Sequence, residues 1–160
     1  MRRRTWISAG LLAALAAGVL WVVVEKASLS ALSDPGPVET SVATAAQRWL
    51  VSRSARGPLP PAPPNDAASI ANGQMQFGAR CAFCHGQDGR SPTDVGRALY
   101  PRTLNLSLPA VQGYSDAELF VVIKDGIRLT GMPGFGRIHS DEEIWHLVHY
   151  VRNLGAPPKS

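Results

Sequence analysis

Gly78–Gly89 reads GARCAFCHGQDG and holds both cysteines of a 160-residue chain, Cys81 and Cys84, with His85 directly after the second. Confining every thiol to one five-residue window limits what the pair can do. A structural zinc site needs four ligands. His139, His146 and His149 could add imidazoles, but no second cysteine pair exists, and His146 and His149 are three apart in a helical stretch. A redox dithiol of the Cys-x-x-Cys kind expects a βαβ setting, and no alternating apolar strand pattern of useful length occurs. A disulfide across two residues would close too small a loop to stabilise much. The remaining reading is covalent attachment of a haem. Two thiols bond its vinyl groups, and the adjacent imidazole, on the same helical turn, reaches the iron from one face.

The surroundings of the window suit that reading. Asp66 is placed to cap a helix over Ala67–Cys84. Ser115-Asp-Ala-Glu118 is a capping box ahead of LFVVIK, with Gly126 as the stop. Ser140-Asp-Glu-Glu143 is a second one ahead of IWHLVHYVRNL, with Gly155 as the stop. Gly- and Pro-rich loops, 86–108 and 127–139, lie between these helices. The expected fold of residues 65–160 is all-α, with three main helices and long loops wrapped around one haem. Three short helices bury little by themselves, so loops of this length need a filling.

An iron held by His85 has a second face. Met132, in Thr130–Gly136 (TGMPGFG), is the candidate ligand, because Pro133 and the flanking glycines permit a tight loop that brings the thioether close. A thioether raises the reduction potential relative to a second imidazole. The competing role for a methionine is filling gaps in a core, which fits Met75 on the first helix better than Met132. His139 is the alternative ligand, while His146 and His149 read as helix-surface or packing positions.

Residues 1–64 have a different character. Arg2, Arg3 and Arg4 precede Trp6–Val24, a run without charge. Nineteen residues of helix reach roughly 28 Å, close to the thickness of a bilayer's hydrocarbon core. Residues 1–30 are therefore expected to be a single-pass membrane anchor, with a cleaved signal peptide as the alternative. The arginines would stay cytoplasmic and place the later residues on the periplasmic side. In residues 31–64, Val38, Val42, Ala46, Trp49, Leu50 and Arg53 share a helical stripe expected to dock on the following domain, with contact to the membrane surface or a partner as the alternative. Five prolines within Gly57–Pro64 (GPLPPAPP) suggest an extended spacer. The chain's net charge of +4 arises before Asp66, since from Asp66 onward nine basic residues face nine acidic ones. A nucleic-acid partner would need a basic patch on the domain itself, and none is expected.

From about Ala68 to Leu154 the chain resembles a class I c-type cytochrome with one haem. The resemblance rests on Gly73-x-x-x-Phe77-x-x-x-Cys81-x-x-Cys84-His85, on YPRTLNL, on DGIRLTGMPGFG, and on Leu147 and Tyr150 in the last helix. It implies that the first and last helices cross where Gly73 and Phe77 meet Leu147 and Tyr150. It also implies that a proline carbonyl, that of Pro101 or else Pro92, accepts the Nδ1–H of His85. Arg102, and with it Tyr100 or Arg128, is a candidate hydrogen-bond donor to a haem propionate, with a solvated surface position as the alternative for each. The activity implied is electron transfer between redox protein partners, as a membrane-tethered shuttle or a cytochrome subunit of a respiratory complex. No catalysis and no small-molecule substrate are expected. A haem with a labile Met132 bond, serving as a ligand sensor or peroxidase-like enzyme, is the alternative.

Overall fold

Residues 2–26 and 30–156 are described by the computed structural model of the chain, apart from the side chains of residues 2–9, 23 and 26. They fall into two units, Met1–Ser30 and Ala31–Ser160. The first unit is one helix, α1 (Arg2–Lys26). Its apolar side chains from Leu11 to Val22 are exposed. Among the described residues no helix is long and apolar enough to cross a membrane. The expected anchor lies partly outside the described residues, because the side chains of Trp6–Ala9 and Val23 are not among them.

The second unit contains α2 (Pro37–Ser54), α3 (Ala67–Arg80), α4 (Ala82–His85), α5 (Asp94–Ala98), α6 (Pro109–Gln112), α7 (Asp116–Asp125) and α8 (Asp141–Gly155), with no strand among the described residues. Local hydrogen bonds explain the helix starts. The Asp66 carboxylate accepts from Ser69 N–H at the head of α3. Ser115 with Glu118, and Ser140 with Glu143, complete reciprocal capping boxes on α7 and α8. Each satisfies donors that the first helical turn otherwise leaves unpaired. α7 stops at Gly126, whose φ of +71° suits a residue without Cβ.

α3 crosses α8, and the closeness of the crossing depends on Gly73. A Cβ there would sit 2.0 Å from the His146 carbonyl oxygen and 2.8 Å from Tyr150 Cβ. One turn on, Phe77 meets the Tyr150 ring at a centroid separation of 5.1 Å. Phe77, Phe120, Ile144, Leu147 and Val148 are the large side chains most completely removed from water, each worth about 1.5–3 kcal/mol of burial. The same crossing holds a polar cluster. Ser69 Oγ lies 2.7 Å from His146 Nδ1 and 2.6 Å from His149 Nδ1. A hydroxyl has one proton, so Ser69 donates to one imidazole and accepts from the other.

Two expectations for residues 31–64 are revised. α2 docks against α7, but not through the Trp49 stripe. Val51 is the buried residue of α2. Beside it Gln47 Nε2 donates to the Tyr114 hydroxyl, and Arg48 donates to the Ala110 carbonyl and lies over the Tyr114 ring. Val38, Val42, Trp49 and Leu50 remain exposed. The proline segment is not a free spacer either. Leu59 packs against the core, and the buried Trp145 indole donates its N–H to the Pro60 carbonyl at 3.1 Å. Proline lacks a donor but keeps its acceptor, so such a segment can satisfy a buried indole while lying along the surface.

Candidate functional site

α3 runs into the attachment window with one break. Cys81 ends α3 and caps α4, so Cys81, Ala82, Phe83, Cys84 and His85 form a single further turn. Cys84 and His85 N–H both bond the Cys81 carbonyl, at 3.1 and 3.0 Å. Both cysteines are free and half-buried. Burial, with the neighbouring Cys84 thiol adding to it, pushes the Cys81 thiol up to about 11. A redox-active pair has a thiol lowered towards neutrality, the opposite of the direction at Cys81. Nor, among the described residues, do three or more His, Cys, Asp or Glu side chains converge to hold a metal ion.

The 86–108 loop is latched onto that turn. Thr93 Oγ1 donates to the Phe83 carbonyl at 2.7 Å, and Thr93 N–H to the Cys84 carbonyl at 3.1 Å. Gly96 lies flat on the Cys84 carbonyl, where a Cβ would come within 2.2 Å of the oxygen. Thr103 N–H bonds the Gly96 carbonyl at 2.9 Å. The latch carries Leu104 to His85, whose Nδ1 is 3.2 Å from the Leu104 carbonyl oxygen. A carbonyl only accepts, so Nδ1 bears the proton and Nε2 keeps its lone pair. Burial holds the imidazole below its ordinary pKa and so favours the neutral, ligating form, with the Leu104 bond opposing it in part.

Here the expectation for Pro101 is corrected. The acceptor is Leu104, three residues further on, because the Gly96 contact and the Thr103 bond set the register of the loop. Pro101 itself is exposed. The carbonyl of Pro92 accepts from Arg97 instead. Arg102 is engaged elsewhere as well. Its Nε is 2.6 Å from Asp34 Oδ1 in an exposed ion pair, while the Tyr100 hydroxyl donates to Glu39. Both groups tie the 31–64 segment to the loop.

Met132 is half-buried against the core. Its loop is built on the end of α7. Ile127 N–H bonds the Met132 carbonyl, Thr130 Oγ1 accepts from Met132 N–H, and Phe135 and Gly136 N–H bond the Ile123 and Lys124 carbonyls. Gly126 and Gly134 permit the close approach, since a Cβ on either would meet backbone within 3 Å. Gly131 packs on Leu99, whose side chain a Cβ would meet at 2.6 Å. That contact brings the Met132 loop against the loop that serves His85. His139, the alternative ligand, has an 8 % exposed side chain whose Nε2 has no hydrogen-bond partner.

These residues fit a covalently attached haem. Two free thiols and an oriented imidazole share one turn, and a soft thioether lies on the adjoining loop. Phe83, Leu104, Leu108, Leu129 and Ile138 are all exposed, Leu129 at 91 %. Exposed apolar side chains on the attachment turn and on both loops are what a large, flat, apolar group would cover. No sequence pattern marks Thr93, Gly96 or Leu99 as part of the site, or Leu104 as the acceptor for His85. The glycine inside the short DVGRA helix is the one local sign of them.

No curated protein matches the chain. Among solved structures, a chain of the Kuenenia stuttgartiensis reducing HAO-like protein complex is similar, with a TM-score of 0.52 and 26% identity over 62% of this chain and 48% of that one. The present chain thus spans about half the length of that relative. The family model described as cytochrome c oxidase, cbb3-type, subunit III matches residues 68–151, from the first turn of α3 to the last turn of α8. Those limits enclose the attachment turn, its latch and the Met132 loop, and the chain belongs to this family of c-type cytochrome domains, which carry covalently bound haem c and transfer electrons.

Proposed function

We propose that the chain is a membrane-tethered electron carrier with one haem c, bound through Cys81 and Cys84 and ligated by His85 and Met132. It serves redox protein partners on the periplasmic side of the cytoplasmic membrane, as a shuttle or as a cytochrome subunit of a respiratory complex. The observation that carries the reading is the Leu104 carbonyl at 3.2 Å from His85 Nδ1, which leaves Nε2 as the donor nitrogen on the turn that bears both thiols. When bound, haem supplies a reversible one-electron change at its iron. The protein's own groups perform the other tasks. The Leu104 carbonyl fixes the ring orientation and tautomer of His85 and strengthens its donor nitrogen. The Gly126–Gly136 turn holds the thioether. Phe77 and Tyr150 keep water from the inner side of the attachment turn.

The uncharged run Trp6–Val24 behind three arginines supports the tether. His85 and Met132 would both hold the iron of a bound haem, which favours a carrier over an enzyme. One observation favours a second reading, a ligand-binding haem with a labile Met132 bond: the unpartnered, buried Nε2 of His139. Pyridine haemochrome and intact-mass analysis of the exported protein test the main reading. One acid-stable haem per chain is expected. A colourless protein with two free thiols refutes the main reading. Tight binding of CO to the ferrous protein at micromolar concentration would replace it with the second one.

A further inference from the structure

The outer face of α2 has no task in the reading above, and its composition is unusual for a face left in solvent. With 3.6 residues per turn, Gln47, Arg48 and Val51 lie on the side that docks against α7. Val38, Val42, Trp49 and Arg53 lie on the opposite side. Trp49 is 58% exposed, Val42 64% and Val38 76%. The Arg53 guanidinium lies over the Trp49 ring, 5.5 Å from its centroid, and Arg56 follows one turn later, also exposed. The one acidic residue of the helix, Glu39, is taken up by the Tyr100 hydroxyl. The face therefore joins two branched apolar side chains and an indole to one cation, Arg53, with Arg56 in the turn just past the helix end.

That pattern suits the headgroup boundary of a bilayer. Apolar side chains enter the acyl region, tryptophan occupies the interface, and arginines meet lipid phosphates. Chain length agrees. Residues 27–36 alone separate the end of α1 from the start of α2, and ten residues reach at most about 35 Å. The proline segment follows α2 and is held to α8 through Pro60, so it does not lengthen this link. We propose that the Val38–Val42–Trp49–Arg53 face of α2 is a contact for the anionic surface of the bilayer, a second attachment that orients the cytochrome domain. The proximity argument rests on the tethered reading; the composition argument does not.

Full-length, haem-loaded protein in lipid nanodiscs tests it. A nitroxide is placed at Val42→Cys, and for comparison at Asp94→Cys, an exposed position on α5. Power saturation then compares contact with oxygen, which concentrates in lipid, and with a water-soluble nickel complex. In discs containing phosphatidylglycerol the label at position 42 is expected to favour oxygen, and the label at position 94 nickel. Adding Arg53→Gln should lower the ratio of lipid-facing to water-facing label at position 42 by about fivefold. Three outcomes overturn the inference. If the protein stays with the discs while position 42 is as open to nickel as position 94, the contact is lost and the tether survives. If the protein elutes apart from the discs, both are lost. If position 42 is shielded only when a membrane-bound redox complex is added, the face belongs to a protein partner.

Discussion

Replacing Gly73 by alanine is the sharpest test of the crossing that positions the attachment turn. The added Cβ would lie 2.0 Å from the His146 carbonyl oxygen, 2.6 Å from its carbon and 2.8 Å from Tyr150 Cβ. Two of these atoms are helix backbone and cannot rotate away. Restoring ordinary contact of about 3.4 Å requires α3 and α8 to part by roughly 1.4 Å, and this gap would open beside Phe77, Leu147 and Tyr150. Overpacking of this kind typically costs about 1–3 kcal/mol, and lost contacts around a separated core add to it. Alanine is otherwise the better helix former by about 1 kcal/mol, so the net loss should be about 2 kcal/mol. For a domain of this size that lowers Tm by roughly 8 °C. Gly78→Ala supplies the control on the same helix, because its Cβ would meet only the Gln87 side chain at 3.8 Å. It should be neutral or stabilising by up to about 1 kcal/mol. Thermal and urea unfolding of the two haem-loaded variants, followed by far-UV circular dichroism, decides the matter. Equal stability of the two variants would refute the close crossing.

Three further predictions follow from the site and the core. Met132→Ala should abolish the weak ferric methionine–iron absorption band and lower the reduction potential measured by spectroelectrochemistry; an unchanged spectrum removes Met132 from the iron. Burial holds His149 below its ordinary pKa, with the His146 charge acting the same way and Asp116 and Asp66 opposing. The unfolded chain then binds more protons from about pH 6.5 down to the folded pKa, so stability should fall as pH drops through that window. His149→Gln should flatten the decline in urea midpoints between pH 7.5 and 5, and an equally steep decline in the variant counts against His149 as its source. Arg152 binds the Gln112 and Tyr114 carbonyls and pairs with Asp116 at 2.6 Å. Arg152→Ala, which leaves both half-buried carbonyls without this donor, should cost about 1–3 kcal/mol in the same unfolding assay, and a loss under 0.5 kcal/mol would show that water replaces the guanidinium.

The helices and the attachment turn were legible in the sequence because their determinants are local. Each capping box links residues three apart, and Gly126 stops α7 through its own backbone angle. Cys81, Cys84 and His85 need only one helical turn to converge. The Gly73–Phe77 spacing likewise announces a helix face made for close crossing, and the pairing with Tyr150 is the one observed. What only the tertiary structure decided is the long-range pairing. The carbonyl that serves His85 is Leu104 instead of Pro101, because the contact of Gly96 with Cys84 and the Thr103 bond shift the loop's register, and no short pattern encodes a fit between segments so far apart. α2 docks through Gln47, Arg48 and Val51, although its opposite face is the more apolar, because Tyr114 and the Ala110 carbonyl offer hydrogen-bond partners and shape on α7's side. Periodicity reports how apolar a face is, but the side that is buried depends on what the rest of the chain presents to it.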